Sequence, residues 1–202
     1  EKAVLTGSPI RAELLQGDRF SGIQYTGLSA ELPILLVIGG SLGSVVVNNA
    51  VRKLLPQLLS QFQVIHICGK GNLDESLIKT RGYVQYEYVD TPLKHLFAAA
   101  DAVISRAGAN AICELLALRK PNILIPLSAS ASRGDQLLNA ASFEEQHFST
   151  VIREENLTDT TLYQAIQETY QNRTRFIQTM KQSPLGNAVK TIIQLIEECA
   201  AP

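Results

Sequence analysis

Short apolar runs alternate with amphipathic segments through most of this chain of 202 residues. The runs have the length of strands, and the segments between them have the residue spacing of helices. Such alternation is typical of βαβ units, in which parallel strands form one sheet that helices cover on both faces. The sequence therefore predicts one α/β domain with a doubly wound, Rossmann-like parallel sheet. The predicted strands are 34–38, 63–68, 83–88, 102–105, 122–126 and 150–152. The predicted helices are 43–59, 73–79, 92–100, 109–118 and 136–145, followed by a helical segment from 158 to 198.

The first predicted strand ends in a glycine-rich turn, Gly39-Gly40-Ser41-Leu42-Gly43, and a helix follows it. Glycines let a backbone come close to a ligand, and the N–H groups of the first helical turn carry the positive end of the helix dipole. The turn therefore suits a phosphate or diphosphate. A tight strand-to-helix turn without a ligand fits this motif equally well.

Small or hydrogen-bonding residues also follow three other predicted strands. They are Tyr88-Val89-Asp90, Ser105-Arg106-Ala107-Gly108-Ala109-Asn110, and Pro126-Leu127-Ser128 leading to Arg133-Gly134-Asp135-Gln136. In doubly wound sheets, ligands bind in the crevice beyond the carboxyl ends of the strands. We therefore expect these segments to form one binding site.

Glu114 is the only charged residue between Ala107 and Leu118. Because burying an unpaired carboxylate is costly, Glu114 either points to solvent or meets hydrogen-bond donors. One reading is a surface glutamate, and the other is a carboxylate that accepts hydrogen bonds from the two hydroxyls of a ribose.

Gln136 and Asn139 are three residues apart, so their amides share one face of the predicted helix. Together with Asp135, they make a set suited to several sugar hydroxyls. The alternative is that the amides are solvated and that Asp135 caps the helix.

Several common cofactor and metal sites have no counterpart in the sequence. The turn after the first strand lacks the G-x-G-x-x-G pattern, and Cys68-Gly69-Lys70 after the second strand lacks the acidic residue that holds an adenosine ribose. We found neither a P-loop motif nor paired metal ligands, so we expect no cofactor and no metal.

Composition limits the class of protein further. A hydrophobic fraction of 46% is enough for a proper core, and a net charge of −1 argues against a nucleic-acid partner. No apolar run reaches the roughly 18 residues of a membrane-spanning helix.

Cys68, Cys113 and Cys199 lack C-x-x-C spacing and lie in apolar contexts, so we expect buried, reduced thiols in a cytoplasmic protein. His66, inside an apolar strand, is predicted to be a core histidine.

The first residues also suggest a larger protein. Val4-Leu5-Thr6-Gly7 reads as the end of a strand. We therefore expect the chain to be a piece of something longer.

Four segments, taken in order, resemble one family closely. They are Thr6-Gly7-Ser8-Pro9-Ile10-Arg11, Gly39-Gly40-Ser41-Leu42-Gly43, Ser105-Arg106-Ala107-Gly108-Ala109 with Glu114, and Asp135-Gln136-Leu137-Leu138-Asn139-Ala140. Their order and spacing are similar to those of the MurG family, the N-acetylglucosaminyltransferases of peptidoglycan synthesis. The resemblance covers nearly the whole chain, but only the C-terminal, donor-binding half of a glycosyltransferase B-type fold. It implies an interdomain segment or hinge at 1–20 and a donor-binding domain at 21–202.

The resemblance also implies roles for particular residues. Ser41 and the N–H groups of Gly40, Leu42 and Gly43 would bind the diphosphate of UDP, which Arg11 would approach from the hinge. Val89 would lie beside the uracil and Glu114 would hold the ribose hydroxyls. The donor sugar would lie near Ala109 and Asn110, with Gln136 and Asn139 on its hydroxyls. The chain departs from the family at Ser44, where alanine is frequent, and at Asn110, where threonine is common.

The implied reaction is an inverting transfer of N-acetylglucosamine from UDP-N-acetylglucosamine to a lipid-linked muramoyl-pentapeptide. The catalytic base, the acceptor site and the membrane contact belong to the family's N-terminal domain, so no catalytic residue is expected in this chain and the fragment alone should be inactive. The full-length enzyme is expected on the cytoplasmic face of the membrane. The alternatives are a donor-binding subunit of another UDP-sugar transferase, such as a diacylglycerol glycosyltransferase, and a non-catalytic nucleotide-sugar-binding module.

Overall fold

A computed structural model describes residues 3–4, 6–40, 42–129, 134–183 and 188–200. Its centre is a six-stranded sheet in the order β3-β2-β1-β4-β5-β6, with every neighbouring pair parallel. The strands are β1 (Ile34–Ile38), β2 (Gln63–Ile67), β3 (Tyr83–Tyr86), β4 (Ala102–Ser105), β5 (Asn122–Leu124) and β6 (Thr150–Val151). The strand order reverses direction between β1 and β4. This topology confirms the predicted doubly wound α/β sheet.

The helices connect the strands and cover the sheet. They are α1 (Arg19–Thr26), α2 (Val45–Leu58), α3 (Leu93–Ala99), α4 (Ala109–Ala117), α5 (Asp135–Glu145), α6 (Asp159–Gln171), α7 (Arg173–Gln182) and α8 (Ala188–Ala200). Short 3₁₀ helices occur at Ala12–Gln16, Glu75–Leu77 and Glu154–Asn156. None of the described helices is long and apolar enough to cross a membrane.

Some predicted elements were wrong in type or extent. The helix predicted at 73–79 is only the 3₁₀ turn Glu75–Leu77, and α1 was not predicted. Val4 and Thr6, expected at the end of a strand, lie in no strand, while Leu5 is outside the described residues.

Alternate residues of β1 point into two separate apolar layers. Leu36 belongs to the layer under α1, α3 and α4, together with Leu96 and Leu115. Leu35 and Val37 belong to the layer under α2 and α6. All three β1 residues have no solvent exposure. Because both faces of the sheet are covered, its strands are apolar throughout rather than alternating.

The segment before β1 packs closely on α3. Leu14 is buried in the apolar layer, and a Cβ at Gly17 would lie 2.1 Å from the carbonyl oxygen of Lys94. A Cβ at Gly22 would lie 2.3 Å from the carbonyl oxygen of His95. Only glycine allows the 3₁₀ turn and α1 to approach α3 this closely. The expected boundary between a hinge at 1–20 and the domain at 21–202 stays a prediction.

The cysteines differ from one another in burial. Cys68 is buried, Cys113 is partly buried and Cys199 is exposed. The prediction of three buried thiols was therefore wrong for Cys199, which lies near the end of α8. The apolar neighbours that suggested burial are themselves exposed there, as at Ile193 and Ile196.

His66 is a fully buried residue with a partner on each ring nitrogen. Its Nε2 lies 2.9 Å from Oδ1 of Asn48, and its Nδ1 lies 3.0 Å from the hydroxyl oxygen of Tyr83. Because Oδ1 of an asparagine can only accept, Nε2 carries the proton and Nδ1 accepts from Tyr83. Burial, with a further contribution from the charge of Arg52, lowers the pKa of His66 to about 3. These contacts confirm the predicted core histidine.

The low pKa of His66 predicts a loss of stability in acid. The ring is neutral when folded down to about pH 3, whereas in the unfolded chain it takes up a proton near its ordinary pKa of 6.5. The stabilisation is complete above that value and is lost as the pH falls. Between pH 6.5 and about 4.5, this residue should reduce the free energy of unfolding by about 2–3 kcal/mol. Urea denaturation of the parent and of His66→Gln across this range should give a shallower pH dependence for the variant. His147→Gln, at an exposed histidine, is the control, and an equal effect of the two substitutions would contradict the prediction.

Candidate functional site

A groove runs along the carboxyl ends of the central strands, where parallel α/β sheets bind ligands. It consists of two adjoining cavities of about 540 Å³ and 320 Å³. Both cavities are lined by Ile38, Gly40, Ala111 and Glu114, so they form one continuous depression.

The turn between β1 and α2 forms one wall of the larger cavity. Gly43 has a φ of 76°, and a Cβ there would lie 1.9 Å from the carbonyl oxygen of Cys68. Gly40 has a φ of 91°, and a Cβ there would meet nothing within 4 Å. Gly43 therefore lies directly against the residue that follows β2, whereas Gly40 leaves open space beside the backbone. Leu42 lines the same cavity and is 85% exposed, whereas Ser41 lies outside the described residues.

Helix α2 begins at this turn with its amino end toward the cavity, which Val45 and Val46 line. Ser44 is the N-cap residue, and its Oγ accepts a hydrogen bond of 3.3 Å from the N–H of Val47. The first N–H groups of a helix have no partner within the helix. The groove therefore receives the positive end of the α2 dipole.

Glu114 lies where the two cavities meet, and its partner is Arg11. The Nε of Arg11 donates to Oε1 of Glu114 over 3.2 Å, with the Glu114 side chain 16% exposed and that of Arg11 46% exposed. Glu114 is thus a partly buried residue of the groove, not a glutamate of the outer surface. Val89, which is buried, and Asn110 line the smaller cavity beside it.

Gln136 and Asn139 lie on α5, and each forms a hydrogen bond to the main chain of a neighbouring loop. Oε1 of Gln136 accepts from the N–H of Leu127 over 3.1 Å, and Nδ2 of Asn139 donates to the carbonyl oxygen of Ala107 over 3.0 Å. The alternative of merely solvated amides was therefore wrong. Of the two, Gln136 lines the larger cavity.

Two other predicted residues lie at the beginnings of helices. Asp135 is the first residue of α5, whose N-cap is Gly134 with no capping side chain, so the capping role considered for Asp135 was wrong. Ala109 is the first residue of α4, next to Gly108, where an added Cβ would meet nothing within 4 Å.

Sequence reasoning missed a buried ion pair at the back of the larger cavity. Arg106 is 7% exposed, and its Nη2 donates to Oε1 of Glu154 and to Oγ of Ser44, each over 2.6 Å. Its Nη1 donates to the carbonyl oxygens of Ile125 and Pro126 over 2.9 and 3.3 Å. Together, these contacts of Ser44, Arg106 and Glu154 join the loops after β1, β4, β5 and β6.

Glu154 remains ionised in this position. Burial alone would raise the pKa of its carboxyl, but the hydrogen bond and charge of Arg106 outweigh burial and lower it. Oε2 of Glu154 also accepts from the N–H of Ser128 over 3.2 Å. A charged residue directly after the apolar strand, Arg106, was the one available signal in the sequence for this pair.

No group of three or more histidine, cysteine or acidic residues within the described ranges is arranged to hold a metal ion. The donors and acceptors that line the groove are instead single carboxylates, amides, hydroxyls, two guanidinium groups and a helix amino end. Such a set binds an anion and several hydroxyls at once.

Comparison with known proteins identifies relatives of the whole chain. The model of the glycosyltransferase family 28 C-terminal domain matches residues 34–196. A UDP-N-acetylglucosamine--N-acetylmuramyl-(pentapeptide) pyrophosphoryl-undecaprenol N-acetylglucosamine transferase of Lachnoclostridium phytofermentans is 62% identical over 198 residues. The protein of the same name from Clostridium botulinum (strain Loch Maree) is 57% identical. Each match covers 98% of this chain and 56% of the relative, so the chain spans a little over half the length of these curated relatives. The resemblance to the MurG family is confirmed.

Solved structures show the same fold at low sequence identity. The crystal structure of Acinetobacter baumannii MurG superposes with a TM-score of 0.68 at 20% identity, covering 97% of this chain and 57% of that one. The glycotransferase of kitacinnamycin superposes with a TM-score of 0.67 at 18% identity, covering 82% and 43%.

The two glycines of the turn predict different costs of substitution. Gly43→Ala would place a methyl group against the backbone of Cys68, and we expect it to lower the free energy of unfolding by more than about 3 kcal/mol. Gly40→Ala would incur only the strain of positive φ, about 1–2 kcal/mol. Urea denaturation of both variants measures the difference. Equal losses would show that the close approach of Gly43 to Cys68 does not constrain the turn.

Proposed function

This chain belongs to the glycosyltransferase family 28 C-terminal domain family, and on that premise we propose that it binds the sugar-nucleotide donor of a peptidoglycan N-acetylglucosaminyltransferase. The donor is UDP-N-acetylglucosamine, as the names of its relatives indicate. The observation that carries the proposal is that the turn after β1, Glu114 and Gln136 line one cavity. These are an anion-binding turn, a carboxylate and an amide, and a nucleoside diphosphate sugar needs all three.

The nucleoside is assigned to the smaller cavity. Ile67, Val89 and Leu93 give that cavity apolar surface for a base, and Glu114 lies at its junction with the larger one. A carboxylate accepts two hydrogen bonds well, and the 2′- and 3′-hydroxyls of a ribose can supply both.

The diphosphate is assigned to the turn after β1 and the amino end of α2. Gly40, which has open space beside it, and the first residues of α2 line the larger cavity. Ser41, which the family resemblance places on the diphosphate, stays a prediction. Arg11 is within reach of this region because it already contacts Glu114.

The sugar is assigned to the far end of the larger cavity, near the beginnings of α4 and α5. Gln136 faces the cavity there, and Asn139 holds the loop after β4 through Ala107. From the sequence we expect Ala109 and Asp135 to border this end, whereas Asn110, which the family resemblance also places beside the sugar, lines the smaller cavity.

Transfer itself is assigned to the longer protein. The chain covers 56% of the length of its relatives, and the acceptor site and the general base are proposed to lie in the remainder. In this chain, the α2 dipole would stabilise the negative charge that develops on the departing UDP. A second domain would bring the acceptor hydroxyl to the sugar and exclude water. That domain would also provide the contact with the membrane.

Calorimetry with a panel of nucleotides tests the proposal. UDP and UDP-N-acetylglucosamine should bind, because base, ribose and diphosphate all find partners in the groove. NAD and ATP should bind far more weakly, because the sequence lacks the dinucleotide fingerprint and the P-loop. Binding of NAD or ATP as tight as that of UDP would contradict the proposal.

Substitution of Glu114 tests the position of the ribose. Glu114→Ala should weaken UDP binding by about 1.5–3 kcal/mol, the range for hydrogen bonds to a charged group. The parent should prefer UDP to 2′-deoxy-UDP, and the variant should lose that preference because the hydroxyls have lost their acceptor. Calorimetry with both nucleotides measures this.

The matched control is Glu13→Ala. Glu13 is an exposed acidic neighbour whose Oε1 lies 4.0 Å from Nη1 of Arg11. This variant removes a carboxylate from Arg11 without touching the groove, so it should bind UDP like the parent. If Glu114→Ala melts at a much lower temperature but still prefers UDP to 2′-deoxy-UDP, the role of Glu114 is structural.

A further inference from the structure

The hydroxyl of Ser44 connects the glycine-rich turn after β1 to the buried guanidinium of Arg106. Ser44 is 7% exposed and lines the larger cavity. Its Oγ accepts the N–H of Val47 over 3.3 Å and an N–H of Arg106 over 2.6 Å. A serine oxygen accepts two hydrogen bonds and donates one. Both acceptor positions are therefore occupied by protein.

The remaining proton of that hydroxyl has no acceptor in the part of the chain that the structure describes. A hydroxyl that accepts from a guanidinium is polarised, which strengthens it as a donor. Because Ser44 borders the cavity at the amino end of α2, a ligand in the cavity can supply the missing acceptor. An ionised phosphate oxygen suits this position because it carries no proton of its own.

The terminal nitrogens of Arg106 already have acceptors within the protein. Each of its terminal nitrogens serves two acceptors: Nη1 serves the carbonyl oxygens of Ile125 and Pro126, and Nη2 serves Ser44 and Glu154. The four N–H groups on these two nitrogens are thus occupied by protein, and their influence on the cavity passes through the Ser44 hydroxyl.

We infer that Ser44 is a further diphosphate-binding residue of this chain, donating its hydroxyl proton to a phosphate oxygen of the nucleotide. Arg106 and Glu154 are positioning residues that hold and polarise this hydroxyl. The inference rests on the proposed function, since it needs a nucleoside diphosphate in the groove. It goes beyond the family resemblance, in which alanine is frequent at this position.

The experiment compares UDP with uridine, which lacks phosphate, in the parent, Ser44→Ala and Ser44→Thr. Binding is measured by calorimetry for UDP and by NMR titration for uridine. Ser44→Ala should weaken UDP about tenfold, the lower end for a hydrogen bond to a charged group. It should leave uridine unchanged within about twofold, because the nucleoside cavity does not include Ser44. Ser44→Thr keeps the hydroxyl and should restore most of the UDP affinity.

A second substitution tests the role of Arg106. Arg106→Lys keeps the charge but cannot reproduce the fork that serves four acceptors. If Arg106 acts through Ser44, the double variant Ser44→Ala/Arg106→Lys should have about the same affinity for UDP as whichever single variant has the lower affinity. Independent effects would instead multiply. Thr158→Ala is the control for loss of a capping hydroxyl, because Thr158 caps α6 away from the groove.

The outcomes separate this inference from the proposed function. Failure of the parent to bind UDP would overturn the proposed function, and the role of Ser44 with it. UDP binding by the parent that Ser44→Ala leaves unchanged would overturn the role of Ser44 alone. Equal weakening of UDP and uridine by Ser44→Ala would do the same, because Ser44 would then act through the fold. These comparisons do not depend on whether Arg106→Lys folds.

Discussion

The groove depends on one close contact, between the turn after β1 and the end of β2. Gly43 lies against the carbonyl oxygen of Cys68, and Gly69 lies against Leu42 and Gly43, so neither glycine can carry a side chain. The same carbonyl accepts from Nδ2 of Asn48 over 2.9 Å, and the other end of that amide meets His66. The direction in which α2 leaves the turn is thus set by buried polar contacts behind it. The helix dipole reaches the cavity because those contacts hold.

Most polar side chains around the groove bind protein before they could bind any ligand. Gln136 and Asn139 hold the loops after β5 and β4, and Arg106 joins its own loop after β4 to three others. A buried guanidinium without partners would be strongly unfavourable, and here every one of its contacts also fixes a loop. The groove is therefore formed in advance, which limits the ordering cost of binding a nucleotide.

The sequence predicted the sheet well because apolar runs and amphipathic segments alternate with little ambiguity. Its errors have physical causes. Strands β2, β5 and β6 were predicted too long because the apolar residues Cys68, Ile125 and Ile152 continue past the ladder and stay buried there. Helix α1 was missed because it packs through Gly22 rather than through an apolar stripe. Glu154 was missed because no local pattern indicates a partner 48 residues away.

The contact between Arg11 and Glu114 suggests how the segment before α1 takes part in the proposed function. Arg11 is half exposed, and ion pairs of that kind contribute no more than about 1 kcal/mol. A ribose could therefore displace Arg11 from Glu114 at little cost. The guanidinium would then be free at the smaller cavity, which Arg11 lines next to Glu114, and a diphosphate presents better acceptors than a single carboxylate oxygen. Leu14, three residues further along, is buried in the core and limits how far Arg11 can move. A ligand in the groove would in this way change the contacts of the segment that the family resemblance assigns to the domain boundary.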